Sequence, residues 1–261
     1  MRAFEKIISI PLKGRILNKP RSDGITMVID TGLGLNAAKD LVQTASEYID
    51  IIKLAFGTSR LIQENIVKKK IKLYNEYEID VMPGGTFLEV AFAQGKLIDY
   101  LTEAKKLGFT AIEVSDGTIS ISDEDRSKII KEAYNQGFKV LAEVGKKMKE
   151  EDLTGEEIAE GIKRDLELGV FKVIIESREA GKGIGFYDES GGIIEQKLEV
   201  AIKGIDVRNI LFEAPHKNQQ VYFIKRFGPN VNLGNIQPNE VIPLEALRQG
   251  LRADTLKLVY K

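Results

Sequence analysis

The stretch KVLAEVGKKMKEEDLTGEEIAEGIKRDLELGVFKVIIES, residues 139–177, contains the repeat that decides the fold. Two short runs rich in aliphatic and β-branched residues, 139–145 and 171–177, flank a longer Lys/Glu-rich segment. The apolar residues of that segment recur with the period of an α-helix. A strand, a helix and a second strand in this order are typical of a right-handed βαβ unit with parallel strands.

The same alternation extends in both directions along the chain. It predicts eight strands, at residues 25–30, 48–55, 79–84, 110–116, 139–145, 171–177, 209–215 and 230–236. Eight such units favour an α/β fold of the (β/α)8 TIM barrel type over an open doubly wound sheet. No linker-like segment interrupts the series, so we expect one domain over residues 1–261. Within it, residues 1–24 form an N-terminal cap segment on the barrel floor, and residues 244–255 form the last helix.

Composition excludes several classes of function. The chain of 261 residues has 38 Lys and Arg against 39 Asp and Glu, a net charge of −1, which gives no overall field for nucleic acid or an anionic membrane. It contains no Cys and one His, which excludes thiol catalysis, disulfides and sites that need two imidazoles. No apolar run has the length of a membrane span or a secretion signal. We therefore expect a soluble, cytoplasmic protein that binds neither nucleic acid nor a membrane.

Carboxylates collect at the carboxyl ends of the predicted strands, where a TIM barrel has its active-site mouth. The apolar runs close on Asp30, Glu113, Asp116, Glu143, Glu176 and Glu213. Alternation along a strand places Glu143, Glu176 and Glu213 on the same face as the aliphatic residues two positions earlier. If these faces point inward, three neighbouring strands present a hard oxygen-ligand set that suits Mg²⁺ or Mn²⁺ and not Zn²⁺. The alternative is that each is a surface carboxylate paired with a Lys on a neighbouring helix.

Two lysines near the mouth are candidate catalytic residues. Lys147 has the same strand parity as Glu143, and an ammonium beside a metal-bound substrate can protonate a developing carbanion. Lys53 lies near the mouth end of the second strand and suits either the same role or anion binding. The alternative for both is a solvated Lys at the start of a loop.

Three loops carry groups that suit an anion. SREAGKGIGF, residues 177–186, offers Arg178, Lys182 and glycines whose N–H groups can approach phosphate or sulfonate oxygens closely, although a mobile turn has the same composition. Residues 215–220 begin at the end of the seventh strand and residues 232–238 span the end of the eighth, where barrels often bind phosphate, and they equally suit ordinary turns. His216 lies in the first of these two and fits an exposed loop or a helix start better than a catalytic site.

Several segments taken together resemble the phosphosulfolactate synthase family. They include KPRSDGITMVIDTGL (19–33), MPGGTFLE (82–89), VLAEVGKK (140–147), VIIESREAGKGIG (173–185) and ILFEAPHKNQQ (210–220), and the similarity extends over about residues 19–255. The resemblance implies a barrel enzyme of the carbon–sulfur lyase class. It implies Mg²⁺-dependent addition of sulfite to phosphoenolpyruvate, giving (2R)-phospho-3-sulfolactate for coenzyme M biosynthesis or for sulfolactate. One departure is KLAFGTS at residues 53–59, where the family pattern is KFGWGTS.

The residues and the implied reaction suggest a division of roles. Mg²⁺ bound by Glu143, Glu176 and Glu213 would stabilise an enolate, and Lys147 would protonate its C2 atom. The phosphate and the sulfite would be received by Lys53, Arg178, Lys182, Gln220 and Asn235. We expect these two small molecules as substrates and a homo-oligomer as the assembly. The alternatives are a Schiff-base aldolase with Lys147 or Lys53 as nucleophile, and a non-catalytic family member that acts in binding or in a stress response.

Overall fold

The structure, a computed structural model, describes residues 2–10, 14–177 and 180–259. Within these residues it contains eight parallel strands, each inside one of the runs predicted from the sequence. They are β1 (Thr26–Asp30), β2 (Ile51–Leu54), β3 (Asp80–Pro83), β4 (Ala111–Val114), β5 (Lys139–Val144), β6 (Lys172–Ile175), β7 (Ile210–Glu213) and β8 (Asn232–Ile236).

Helices alternate with the strands and cover the outside of the sheet. They are α1 (Leu35–Ala45), α2 (Thr58–Leu61), α3 (Glu64–Glu76), α4 (Gly85–Ala93), α5 (Leu97–Leu107), α6 (Asp123–Asn135), α7 (Gly155–Glu167), α8 (Glu195–Ile202), α9 (Lys217–Phe227), α10 (Val241–Arg248) and α11 (Ala253–Val259). In the part of the chain that the structure describes, no helix is both long enough and apolar enough to cross a membrane.

The sheet curls into a nearly closed barrel, which confirms the predicted fold. Hydrogen-bonded ladders connect the strands in the order β3-β2-β1-β8-β7-β6-β5-β4. The two outer strands of this series meet at a seam, where the Thr110 N–H donates to the Val81 carbonyl at 3.1 Å. At the same seam the Val81 N–H donates to the Thr110 hydroxyl oxygen at 2.9 Å, so a side chain completes the closure.

Strand alternation divides the barrel interior into two layers. The lower layer is an apolar cluster to which most of the strands contribute; its members are Ile25, Met27, Ile51, Met82, Ala111, Leu141, Ile174 and Leu211. Two residues further along five of these strands, the same inward face carries a charged side chain; these are Lys53, Glu113, Glu143, Glu176 and Glu213. The charged layer therefore lies directly on top of the apolar one, at the carboxyl ends of the strands.

Residues 14–24 lie at the opposite, amino-terminal end of the barrel. The Arg15 guanidinium donates to both carboxylate oxygens of Glu245 on α10, at 3.1 and 2.8 Å. Arg21 makes a similar two-pronged ion pair with Asp50, just before β2, at 2.9 and 3.0 Å. These contacts fix the chain that leads into β1.

One element boundary predicted from the sequence is wrong. The single last helix expected over residues 244–255 is two helices, α10 and α11, separated by a turn at Gly250. Gly250 has a φ of +69°, which ends α10 because a left-handed residue cannot continue a right-handed helix. A Cβ at this position would lie 2.3 Å from Val259, so the turn also needs glycine for space.

A buried ion pair outside the barrel holds the carboxyl ends of β4 and β5 against two helices. Arg126 on α6 is fully buried, and it donates to both carboxylate oxygens of Asp165 on α7, at 2.9 and 2.6 Å. The same guanidinium donates to the backbone carbonyls of Val114 at 3.4 Å and Glu143 at 2.9 Å. Arg126 therefore fixes the two strand ends that carry functional side chains on their inner face.

Replacing Arg126 with Met is expected to lower the free energy of unfolding by about 3–5 kcal/mol, because Asp165 then remains buried with its main partner removed. Chemical denaturation monitored by circular dichroism measures the loss. Lys128→Met is the matched control, since its ion pair with Glu124 is largely exposed and should contribute under about 1 kcal/mol. Equal effects of the two substitutions would contradict the assignment.

Candidate functional site

The ammonium group of Lys53 is the centre of the charged layer. Its Nζ lies 3.0 Å from Glu113 Oε2, 3.1 Å from Glu213 Oε1 and 3.8 Å from Glu143 Oε2. The residue is 5 % exposed, so these ion pairs lie inside the barrel rather than at its surface. One buried cation from β2 is thus surrounded by carboxylates from three other strands.

Lys147 forms a second cationic centre on the turn after β5. Its Nζ lies 2.7 Å from Glu143 Oε1 and is also hydrogen-bonded to Glu176 Oε2. Glu143 therefore contacts both lysines and links the two centres. The three carboxylates predicted as metal ligands face one region, and the two predicted catalytic lysines lie among them.

Glycines allow Glu176 to pack closely at this position. Gly145 has a φ of +134°, and a Cβ there would lie 2.7 Å from the Cβ of Glu176. Gly185 has a φ of +65°, and a Cβ there would lie 2.3 Å from the Glu176 carbonyl oxygen. Side chains at these two positions would displace the strand end that carries Glu176.

The buried carboxyls have strongly divergent pKa values. Burial raises the pKa of Glu113 to about 7, although the Lys53 ammonium opposes the change. Burial, with the nearby charges of Glu143 and Glu213, holds the pKa of Glu176 well above its usual range. For Glu143 the attraction of Lys147 and Lys53 outweighs burial and lowers its pKa to about 2. Neighbouring carboxyls of one site thus have pKa values shifted in opposite directions.

Both lysines remain protonated at neutral pH. Burial alone would lower the pKa of Lys53, but the surrounding carboxylates of Glu113, Glu213 and Glu143 raise it above the ordinary value. The pKa of Lys147 is likewise raised well above the ordinary value, because Glu143 and Glu176 outweigh burial. These amines are therefore acids or charge partners rather than free nucleophiles.

The charged layer opens into a cavity of about 530 Å³ at the mouth of the barrel. Besides the charged residues, polar and apolar groups line it: Ile29, Ala55, Phe56, Gly57, Gly84, Gly85, Thr86, Phe87, Val90, Thr118, Met148 and Asn235. Phe56 has a φ of +57°, unusual for an aromatic residue, and its ring is half exposed at the rim. It belongs to the KLAFGTS segment that departs from the family pattern.

The other predicted substrate-binding residues are not brought together. Asn235 is buried in the cavity wall, and its Oδ1 has no hydrogen-bond partner. Gln220 is fully buried and does not line the cavity; its Nε2 donates to the Ala214 carbonyl at 3.1 Å. Lys182 is exposed and also lies outside the cavity lining. Arg178 lies outside the described residues, so its predicted role stays a prediction.

Two of the strand-end carboxylates serve the fold instead. Asp30 accepts the Tyr74 hydroxyl at 3.0 Å and forms an ion pair with Lys70 at 2.7 Å, which fastens α3 to β1. Asp116 pairs with Arg126 at 3.1 Å. His216 begins α9, and its ring lies 2.7 Å from the Ala180 carbonyl, as expected for a residue at a helix start.

Glu113 and Glu89 are site residues to which the sequence reasoning assigned no role. Glu113 accepts the Gly85 N–H at 2.7 Å at the start of α4 and pairs with Lys53. Glu113 lies two residues after the inward-facing Ala111, so strand alternation predicts that it also faces inward. The same alternation predicted the inward orientation of Glu143. Glu89 lies on α4, and no strand pattern points to it.

The carboxyl oxygens of the charged layer suit a hard divalent cation, both as oxygen ligands and in their negative charge. Among the described residues that line the cavity, the carboxyls of Glu113, Glu143, Glu176 and Glu213 outnumber the ammonium groups of Lys53 and Lys147. The buried Glu143 Oε2 accepts no hydrogen bond. In arrangement, however, Lys147 Nζ lies between Glu143 and Glu176. Across residues 2–10, 14–177 and 180–259, no group of three or more His, Asp or Glu side chains is preassembled around a metal position.

The sequence of the chain is similar to those of one protein family. Residues 15–254 match the family model described as (2R)-phospho-3-sulfolactate synthase. The phosphosulfolactate synthase of Methanocaldococcus jannaschii is 48 % identical over 234 residues, 89 % of this chain and 93 % of that protein. That of Methanothermobacter thermautotrophicus is 43 % identical over 258 residues, 98 % of each chain. Among solved structures, a 3-hexulose-6-phosphate synthase superposes with a TM-score of 0.57 at 15 % identity, covering 85 % of this chain and 98 % of its own, and shares the barrel fold.

The raised pKa of Glu113 predicts a specific pH dependence of stability. A carboxyl whose pKa is higher in the folded than in the unfolded protein contributes stability at low pH that is lost as the pH rises towards the folded value of about 7. The free energy of unfolding should therefore fall more between about pH 5 and about pH 8 in the native chain than in Glu113→Gln.

Denaturation of the metal-free protein at several pH values measures this difference. The Gln variant keeps an oxygen that accepts the Gly85 N–H, so it changes the titration more than the hydrogen bonding. Parallel stability curves for the two proteins would show that Glu113 does not titrate in this range.

Proposed function

Because the chain belongs to the phosphosulfolactate synthase family, we propose that it catalyses the Mg²⁺-dependent addition of sulfite to phosphoenolpyruvate, giving (2R)-phospho-3-sulfolactate. The observation that carries the mechanistic part of this proposal is the position of Lys147. A protonated, partly exposed ammonium at the cavity wall, fixed by Glu143 and Glu176, is placed to deliver a proton to a bound substrate.

The reaction begins when the sulfur lone pair of sulfite attacks C3 of phosphoenolpyruvate. The C3–S bond forms as the C2–C3 π electrons move towards the substrate carboxylate, which produces an enolate. Transfer of a proton from Lys147 Nζ to C2 then completes the addition, and delivery from one face fixes the R configuration. Water returns a proton to the neutral amine, because the neighbouring Glu143 and Glu176 raise its pKa well above the ordinary value.

Lys53 has a supporting electrostatic role. Its ammonium lies among Glu113, Glu143 and Glu213 and offsets part of their charge, so that an anionic substrate meets less repulsion in the cavity. Asn235 lines the cavity wall, and the N–H groups of its side-chain amide are the ones suited to donate to an oxygen of an anionic substrate. The apolar rim formed by Phe56, Phe87 and Val90 limits access of water to the enolate.

Charge balance supports a metal ion bound by Glu143, Glu176 and Glu213. Phosphoenolpyruvate and sulfite both add negative charge to a cavity that already holds more carboxyl than ammonium groups. When bound, Mg²⁺ acts as a Lewis acid that stabilises the negative charge of the enolate. A metal ion held by these carboxylates would compete with Lys147 for its contacts with Glu143 and Glu176.

A Schiff-base aldolase is the alternative, and the electrostatics of the site argue against it. Such an enzyme needs a neutral amine, whereas the pKa values of Lys53 and Lys147 are both raised. A non-catalytic binding protein is disfavoured by the cost of the site. Burial raises the pKa values of Glu113 and Glu176, which means that burying these carboxyls lowers the stability of the fold. A protein that served only as a scaffold would have no reason to retain such destabilising groups.

The purified protein incubated with phosphoenolpyruvate, sulfite and Mg²⁺ should form the sulfonated product, detected by mass spectrometry. Lys147→Ala should lower kcat by about 10²- to 10⁴-fold with a small change in KM, because the proton is delivered only in the transition state. Borohydride with a keto substrate should trap no covalent adduct in either protein. Product formation at the native rate in the variant, or a trapped adduct on Lys147, would contradict the mechanism.

Removal of divalent cations should abolish turnover, and Mg²⁺ should restore it. Titration calorimetry should show that Glu143→Gln and Glu213→Gln weaken Mg²⁺ binding by about 10-fold or more, since each removes a charged oxygen ligand. Glu245→Gln is the matched control, because this buried carboxylate pairs with Arg15 at the other end of the barrel. Turnover that persists in excess chelator would exclude the metal-dependent reaction.

A further inference from the structure

Glu89 is a buried carboxylate that the proposed chemistry does not use. It lies on α4, is 2 % exposed, and accepts three hydrogen bonds from one short segment of chain. Its Oε1 accepts the Ser115 hydroxyl at 2.5 Å, and its Oε2 accepts the N–H groups of Thr118 at 2.8 Å and Ile119 at 2.9 Å. A single side chain therefore fixes residues 115–119, the segment that leaves β4 at the mouth of the barrel.

That segment contacts Lys147 directly. The Gly117 carbonyl accepts the Lys147 backbone N–H at 2.9 Å. Gly117 also packs against the Lys147 side chain so closely that a Cβ would lie 3.1 Å from both its Cγ and its Cε. Thr118, from the same segment, lines the cavity. Residues 115–119 thus form one wall of the space in which the Lys147 side chain lies.

The Lys147 side chain depends on such a wall for a defined position. A lysine side chain is long and flexible, and two carboxylates attract its ammonium from a range of directions. Contact along the stem restricts those directions and selects the one that faces the cavity. Glu89 is suited to hold the wall, because its two carboxyl oxygens accept three hydrogen bonds from residues 115–119.

We propose that Glu89 is a positioning residue, which holds residues 115–119 in place and thereby directs the Lys147 ammonium at the reacting carbon. This proposal rests on the proposed function, in which Lys147 is the proton donor. Glu89 itself contacts neither the substrate nor the reacting atoms. Its effect on the reaction therefore has to pass through Lys147.

Two substitutions of Glu89 distinguish an effect on the position of Lys147 from an effect on the stability of the fold. Glu89→Leu removes every acceptor and should lower kcat by about 10- to 100-fold, the effect of a small displacement of a catalytic group, while KM changes less than about twofold. Glu89→Gln should recover most of that loss. Its amide oxygen can accept the Thr118 and Ile119 N–H groups, and its amide nitrogen can donate to the Ser115 hydroxyl.

Glu245→Leu is the control for general destabilisation. Glu245 is also a buried carboxylate on a helix, but it pairs with Arg15 at the amino-terminal end of the barrel. This variant should unfold at a lower temperature and keep the native kcat while folded. An equal loss of kcat in the Glu89 and Glu245 variants would overturn the proposal.

Gly117→Ala tests the same idea without changing Glu89, and remains informative if Glu89→Leu fails to fold. The added methyl group presses on the Lys147 stem and should lower kcat with little change in KM. In a Lys147→Ala background, neither Glu89→Leu nor Gly117→Ala should lower the residual rate further, since both act through the missing side chain. A native kcat in Gly117→Ala, or full additivity with Lys147→Ala, would overturn the proposal.

Hydrogen exchange provides a readout that needs no activity. The amides of Thr118, Ile119 and Lys147 should exchange faster in Glu89→Leu than in the native chain, and at native rates in Glu245→Leu. Unchanged exchange at these amides in Glu89→Leu would overturn the positioning role. If the native enzyme makes no sulfonated product, the proposed function fails, and exchange still decides whether Glu89 holds the segment.

Discussion

The arrangement of the mouth depends on one electrostatic constraint, which is that, in the described part of the chain, four buried carboxyls share two ammonium groups. Glu113, Glu143, Glu176 and Glu213 lie above an apolar layer that excludes water from below, so their charges are balanced mainly by Lys53 and Lys147. Removing either lysine would take away a buried ion-pair partner of at least two carboxylates, a larger cost than losing a surface ion pair. The opposite pKa shifts of the buried carboxyls arise because these carboxyls share the two ammonium groups unequally.

The fold was predictable because its signal is local and repeated. Each strand is a short aliphatic run, and in each helix the apolar residues recur with the helical period. Because side chains alternate along a strand, one residue known to face inward shows which of the others do so. The position of Leu141 two residues before Glu143 was therefore enough to predict which way that carboxylate points. Closure of the sheet was confirmed by the seam at Val81 and Thr110, which no local pattern encodes. The missed boundary at Gly250 had a local signal as well, because a glycine in the left-handed conformation commonly ends a helix.

The site was predictable only where strand geometry determines it. The side chains of Glu143, Glu176 and Glu213 converge, as strand alternation predicts. The positions of the two lysine ammonium groups depend instead on the conformations of long side chains, which strand alternation does not determine. Gln220 illustrates the limit, because the sequence shows an amide after a strand but not that Ala214 accepts its hydrogen bond. Glu89 was missed for a related reason, since its partners at 115–119 are distant in sequence and are joined to it by tertiary contact alone.

The position of Lys53 across the lumen has a thermal consequence. Its ammonium connects β2 to β4, β5 and β7, so the width of the barrel at its open end is set by ion pairs as well as by apolar packing. The hydration of charged groups becomes less favourable on heating, so the cost of keeping such ions dry declines as temperature rises. This end of the cylinder should accordingly keep its cross-section under heat that loosens contacts held by hydrophobic packing alone.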